Sequence, residues 1–268
     1  MSVHVLPDRA ILRVAGADAR PFLQGLLTQD VHPLAPGHPL YAGLLSAQGK
    51  LLFAMLLHTD ETGDVLIDVD RGQSDALARR LSLYKLRKAV TITPAADLAV
   101  HIAIEGNGTE AADPRLAALG ARWLGPVSDA IPDGSEAWRA HRTALGVAEA
   151  AELGEDRLLW LETGAALLNG VSFTKGCYIG QENTARMHHR DKVRRMIVPL
   201  QLGGSTTDDQ VRDSAGRSVG TLLGVATAAG HALAHLRLEA AAGPLLVGEH
   251  PASVLCPAWL APLLEAAD

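Results

Sequence analysis

Cysteine is nearly absent from this chain: Cys177 and Cys256 are the only two in 268 residues. Two thiols far apart in sequence are no disulfide framework, and they lack the spacing with which a chain holds an iron–sulfur cluster by its own cysteines. Aromatic residues make up 4%, too sparse for the stacking platforms of single-stranded nucleic-acid binders. The formal net charge of −6 argues against wholesale adhesion to nucleic acid or membrane and leaves room only for a local basic site. The longest clean apolar run, Leu51 to Leu57, falls far short of the ~20 residues of a bilayer span. The opening MSVHVLPDRAILRV has no basic head followed by a long apolar segment, so no secretion signal is read there. The expected compartment is the reducing cytoplasm, where a thiol stays available. There is no G-x-G-x-x-G, no P-loop and no nucleophile elbow. His231 and His235 have the spacing of two zinc ligands on a helix, but HALAH alternates like a strand and no third ligand is evident, so no metal site is expected.

What is present is the composition of an ordinary globular protein, 48% hydrophobic and 20% charged, with length for one large or two modest domains. Asp18 to Val31 reads as a helix capped by Asp18, with Phe22, Leu23, Leu26 and Leu27 on one face. Two apolar runs around Ala47 to Lys50 predict a hairpin, Asp64 to Asp70 a strand, and Gln73 to Val90 a helix through Leu77, Leu81 and Tyr84. Further strands are expected at VTIT and AVHIAIEG, and a helix capped by Ser135 after them. Residues 105–126 are rich in Gly, Pro and Ala and mark a change of lobe. From about Lys192 short glycine-punctuated strands predict a small barrel. The expected organisation is α+β, with two lobes over residues 1–195 and a C-terminal β-barrel over 196–268; no internal repeat is seen.

The chemistry concentrates in TKGCYIGQENTARMHHR, Thr174 to Arg190. A lone cysteine is ordinarily a packing residue. Cys177, however, stands between Gly176 and Gly180 at the start of a helix-forming run, beside Lys175, and both a helix N-terminus and a nearby cation favour thiolate. Cys256, in SVLCPAW, has apolar neighbours and reads as packing. Gln181 and Glu182 could hydrogen-bond a heterocycle, or Glu182 could simply complement the helix dipole. The basic run RMHHRDKVRR could hold a phosphate or carboxylate, although such runs are ordinarily solvated faces; His188 and His189 within it are expected to point apart.

With these residues in view, KGCYIGQE (Lys175 to Glu182) resembles the signature of the YgfZ family, within the GcvT-like superfamily. FLQGLLTQDV, LLSAQGKLLF, DPRLAALGAR, HRTALGV and LLNGVSFTKGC look like family segments in family order, and GRSVGTLL with HALAHLRL is similar to the superfamily's closing barrel. The resemblance covers nearly the whole chain and is closest to the branch of the mitochondrial iron–sulfur assembly factors. It implies a three-lobed cloverleaf whose central hole binds tetrahydrofolate, in a protein that assists assembly or repair of iron–sulfur clusters in client enzymes and, through them, tRNA thiolation. It makes Cys177 the functional thiol. Lys175, Tyr178, Gly180, Gln181 and Glu182 fill the other signature positions, and Phe22, Gln24, Thr28 and Asp30 the N-terminal ones; with Glu162 and Arg186 these are the implied cofactor-binding residues. Lys175, Arg186 and Arg190 could steer a folate glutamate tail or an acidic client. Trp160 stands where the family commonly has proline, and Gly164 and Ala166 where polar residues are usual.

Two rivals remain at this point. The first is a folate-dependent aminomethyltransferase, against which stands the lack of an Asp pair after Gly49, where the chain reads KLLFAM. The second is a non-catalytic binding module using the basic helix. An accessory factor is favoured over an enzyme, its partners being folate and iron–sulfur client or assembly proteins, with no membrane or direct nucleic-acid partner and a monomer as the default.

Overall fold

The computed structural model describes residues 2–104, 111–189 and 193–265. Arg190, Lys192 and the first part of the 105–126 stretch lie outside the described residues. The chain opens with β1 (His4–Val5), β2 (Arg9–Ala15) and α1 (Ala19–Gln24), followed by β3 (Leu40–Leu45), β4 (Leu51–Thr59), β5 (Val65–Asp70), α2 (Ser74–Lys85) and β6 (Thr91–Pro94). Next come β7 (Leu98–Ala103), β8 (Ala121–Pro126), α3 (Ser135–Ala144), α4 (Ala150–Leu153) and α5 (Gln181–His189). The last part holds β9 (Arg195–Leu202), β10 (Gln210–Asp213), β11 (Ser218–Leu223), β12 (His231–Arg237), β13 (Leu245–Val247), β14 (His250–Val254) and α6 (Ala261–Glu265). These strands form a five-stranded antiparallel sheet ordered β3-β4-β5-β2-β6, a three-stranded one ordered β1-β7-β8, and a closed six-stranded barrel ordered β10-β11-β12-β9-β14-β13.

The longest apolar run of the sequence is explained by β4, which is buried on both faces. Because alternate strand residues point to opposite sides, Phe53, Met55 and Leu57 pack with Phe22, Leu23, Leu77 and Leu81 from α1 and α2. Ala54 and Leu56 face the other way, into the cluster that holds Trp138 and Trp160. A strand with solvent on one side would have alternated with polar residues; from Leu51 to Leu57 this one has none.

Four local expectations are corrected, the first being the helix read over Gln73 to Val90, which ends at Lys85 as α2. The helix read over Asp18 to Val31 ends at Gln24, with Gly25 as its C-cap, although Leu26 and Leu27 are still buried beyond it. Asp18 holds the N-cap position of that helix as read, but its side chain makes no capping bond: its Oδ2 accepts the Ala89 N–H at 2.7 Å and so ties α1 to the turn after α2. Ser135 is the first helical residue of α3 rather than its cap, and the Asp133 carboxylate accepts the Ser135 N–H at 2.8 Å. α1 stops at Gly25, and at the two caps a carboxylate, Asp18 or Asp133, takes a backbone N–H outside the expected pattern. The turn after α2 also holds Leu86 at φ 46°, a region that costs a leucine about 1–3 kcal/mol.

Candidate functional site

The segment that carries Cys177 is clamped on both sides. Upstream, the Thr28 hydroxyl donates to Gly170 O at 2.6 Å and accepts the Gly43 N–H at 2.8 Å, and the Ser172 N–H donates to Thr28 O at 3.0 Å. Lys175 then reaches under the loop. Its ammonium donates to Gln24 O, Leu27 O and Gln29 O at 2.7, 2.6 and 3.0 Å. Those carbonyls lie at and just beyond the C-terminal end of α1, where carbonyls without an intrahelical partner favour a cation. Burial pulls Lys175 down to about 8, with the charge of Asp30 opposing it.

Downstream, Tyr178 is buried, with the Lys175 ammonium 5.2 Å from its ring centre. Gly180 sits at φ 80°, where a Cβ would lie 2.5 Å from Ser46 O in the β3–β4 hairpin. Only glycine allows this close approach, and the hairpin's Gly49, at φ 78°, meets Asn183 in the same way. Between the clamps Gly176 has no neighbour within 4 Å of a would-be Cβ, and Cys177 is exposed. The Phe173 ring stacks on His188 at 3.6 Å and 10°, and His188 meets the His189 ring edge-on at 4.8 Å, so the two histidines do not point apart. That stack joins the loop to the last turn of α5, and no spacing rule announces it.

The candidate residues therefore separate by task. Phe22 is core. Gln24 donates to Asp30 Oδ1 at 3.0 Å and accepts the Val31 N–H at 2.8 Å, shaping the bend that Lys175 caps. Glu162 accepts the Leu159 N–H at 3.2 Å and lies 3.5 Å from His235 Nε2, linking the turn before the signature to the barrel. His231 and His235 sit four apart on β12, on one strand face. Arg186 donates to Asn183 Oδ1 at 2.8 Å. Gln181 and Glu182 open α5, with Glu182 exposed. Cys256 is corrected: it is exposed rather than packed. Among the described residues no three of His, Cys, Asp and Glu gather as a metal-ligand set.

A second cluster, absent from the sequence-based candidates, fills the junction of the three sheets. Arg9 donates to Asp68 Oδ1 at 2.6 Å, and Arg122 Nη2 lies 2.6 Å from Asp68 Oδ2. Arg115 pairs with Asp113 at 2.7 Å and with Glu149 at 3.0 Å; Arg142 pairs with Glu152 at 3.0 Å. Trp138 Nε1 donates to Glu149 at 3.2 Å, and Arg115 and Arg122 lie over its ring at 5.7 and 5.3 Å. On the barrel side, a Cβ at Gly224 would come within 3.3 Å of Glu152 Cγ. Burial alone would raise the Glu149 carboxyl; Arg9, Arg115, Arg142 and Arg122 outweigh it and hold it well below the usual carboxylate range. Asp68 is likewise lowered, Arg122 and Arg9 outweighing its burial.

Iron-sulfur cluster assembly factor IBA57, mitochondrial, of Homo sapiens is 36% identical over 258 residues, covering 80% of this chain and 72% of that protein. Its Mus musculus counterpart is 33% identical over 286 residues, covering 90% and 78%. The chain belongs to the IBA57/CAF17 family. This family of iron–sulfur cluster assembly factors has YgfZ as its bacterial member, so the YgfZ resemblance of the signature leads to the same place. The family description "CAF17, C-terminal beta-barrel domain" matches residues 194–262, the stretch that forms β9 to β14. The fold is also that of a glycine cleavage system aminomethyltransferase T from Bartonella henselae, at TM-score 0.72 over 94% of this chain and 83% of that one; at 13% identity the likeness is one of fold alone.

The family resemblance implies a folate between the lobes, and the junction can be tested for room. The cavity bounded by Arg9, Tyr41, Ala54, Leu56, Arg115 and Glu149 measures about 10 Å³. That is space for about one water, whereas a cofactor-sized ligand needs about 300 Å³ or more. Trp160, placed where the family commonly has proline, adds to the filling. It is fully buried, donates to Gly170 O at 3.0 Å and packs at 5.4 Å on Tyr41, which lines the cavity. This cavity is therefore too small for a pterin, and none of the candidate cofactor-binding residues lines it.

Proposed function

We propose that the protein is an iron–sulfur cluster assembly factor that acts on client or assembly proteins through the Cys177 thiol. The observation that carries this reading is the exposure of Cys177 on a loop anchored at both ends by Lys175 and Gly180. A thiolate is a soft ligand suited to iron. One presented thiol cannot complete the ligand set of a cluster, so the cluster is handled as cargo together with ligands from the partner. Two exposed cysteines suit a reducing compartment. We place the protein in the cytoplasm, and the mitochondrial address in the relatives' names is theirs. Thiolation of tRNA would follow only as the output of an iron–sulfur client.

In a strain lacking this gene, an iron–sulfur dehydratase is expected to lose activity while a metal-free control enzyme keeps it. Wild type should restore the dehydratase and Cys177→Ser should not, at about tenfold lower activity or worse. Full rescue by the serine variant would remove the thiol from the mechanism, and a normal dehydratase in the deletion would remove the pathway.

No step of this reading passes through tetrahydrofolate. Titrated with tetrahydrofolate, the protein is expected to keep its Trp138 and Trp160 fluorescence and its melting temperature; a saturable quench with a raised melting temperature would bring folate back. The aminomethyltransferase reading is disfavoured because β4 carries no carboxylate and presents Ala54 and Leu56 to the junction cavity.

A further inference from the structure

The stretch from Ala76 to Ala96 contains Arg79, Arg80, Lys85, Arg87 and Lys88 and no acidic residue, in a chain whose net charge is −6. Lys85 is tethered through Nζ to Val90 O at 3.1 Å. Arg79, Arg80, Arg87 and Lys88 make no ion pair and no side-chain hydrogen bond among the described residues. Amid these cations Leu83 is 72% exposed and Leu86 85%. Scattered surface leucines need no explanation, but two within four residues and ringed by unpaired cations form a patch.

The turn that displays Leu86 is ordered. The Lys88 N–H donates to Lys85 O at 2.8 Å, and Ala89 is gripped twice by Asp18, through Asp18 Oδ2 at 2.7 Å and through the Asp18 N–H at 3.3 Å. A Cβ on Gly16 would lie 2.2 Å from Ala89 O, so the turn is seated directly on the backbone before α1. Leu86 nevertheless occupies φ 46°, ψ −113°, a conformation suited to glycine. Leu86 thus serves neither the core nor the local backbone, and it is the more exposed of the two leucines.

Position connects this patch to the thiol. Asp18, which holds the turn, stands at the N-terminal end of α1; Gln24 O, which holds Lys175 and the Cys177 loop, stands at the C-terminal end. The six-residue helix between them is about 9 Å long. The two anchors thus lie one short helix apart, a span that a protein seated on the turn can bridge to reach the Cys177 loop.

We infer that Leu83 and Leu86, with Arg79, Arg87 and Lys88, form a docking surface for an acidic, leucine-bearing segment of the protein that exchanges a cluster with Cys177. This rests on the assembly-factor reading and supplies its missing partner contact. A protein segment is favoured over an anionic bilayer because the rest of the chain is strongly acidic. A wide membrane surface would meet that repulsion, whereas a segment confined to the patch is screened from it beyond about 8 Å.

The test uses the full chain and a fluorescein-labelled peptide of alternating Glu-Glu and Leu-Leu pairs, read by anisotropy. Saturable binding is expected that weakens with salt, falls at least about tenfold for Arg79→Glu/Arg87→Glu/Lys88→Glu, and falls similarly when the peptide leucines are replaced by serine. Leu86→Gly should weaken binding while leaving the melting temperature unchanged or raised, a combination that a purely structural leucine would not show. Equal binding by wild type and variants, or no binding, would overturn the proposal. So would sedimentation with phosphatidylserine-containing vesicles in place of peptide binding, or a dimer that the charge reversal dissolves, each reassigning the patch. Cys177→Ser should bind the peptide like wild type. A dehydratase indifferent to Cys177→Ser would therefore sink the assembly reading, and a peptide indifferent to the patch would sink this one, separately.

Discussion

Replacing Glu149 with glutamine is expected to cost about 3–5 kcal/mol of stability, a large part of the ~5–15 kcal/mol that holds a domain folded. Glutamine keeps the shape and an acceptor for Trp138 Nε1 but removes the charge. Arg115, Arg122, Arg142 and Arg9 lie 3.0, 3.6, 3.7 and 3.8 Å from the Glu149 oxygens. Four buried guanidiniums would then share Asp68, Asp113 and Glu152. The melting temperature should fall by on the order of 10 °C, and the Trp138 emission should change in the native baseline because its acceptor and both overlying cations shift. A loss below about 1 kcal/mol in urea melts would show that the junction relaxes and takes in water, and that the network is not the lock it resembles.

Acid should act on the same cluster. Asp68 and Glu149 are both held below their ordinary values. Their contribution is complete above the usual carboxylate range and is lost as pH falls through the lowered folded values, so the wild type should lose stability in acid more steeply than Glu149→Gln.

Lys175→Met is expected to uncouple the thiol without dissolving the fold. It deletes three charge-assisted bonds to Gln24 O, Leu27 O and Gln29 O, at a cost of about 2–3 kcal/mol, while methionine keeps much of the apolar stem. Rescue of the dehydratase should fall by about tenfold or more although Cys177 is intact, because the loop loses the anchor nearest to it. A structural readout separates this positioning role from general damage. With Lys175 down at about 8 against 10.5 in the unfolded chain, the unfolded state binds more protons between those values. Stability from this group therefore rises as pH climbs from about 8 to 10.5. Wild type should gain on Lys175→Met across that window, and parallel pH profiles would mean that Lys175 is as solvated folded as unfolded.

How far local sequence reaches is clear from particular elements. The six barrel strands, the β3–β4 hairpin and α2 follow from alternation, turn glycines and helical spacing, all of which act over a few residues. The exposed, glycine-flanked Cys177 was legible for the same reason, since the signature and its turn are contiguous. Where a side chain chose between a near and a distant partner, local reading failed. The Asp18 carboxylate left its helix for Ala89, and Lys175, legible as a cation beside the thiol, serves as the cap of a helix some 150 residues earlier in the chain. Cys256 looked buried from its apolar neighbours, yet it follows the end of β14 at the surface.

The junction was beyond local reading altogether. Arg9, Asp68, Asp113, Arg115, Arg122, Arg142, Glu149 and Glu152 are ordinary charges in sequence, and only Asp68, inside VLIDVD, stands out as a charge between apolar strand residues. Their meaning comes from ion pairs spanning 59 and 54 residues at Asp68 and 34 at Glu149. Sequence alone settles what each short segment prefers, because propensity and alternation are properties of neighbours. Whether the space between the lobes is a ligand hole or a closed bundle of charges depends on volumes contributed by strands and helices far apart in the chain, and those meet only when the three sheets close on one another.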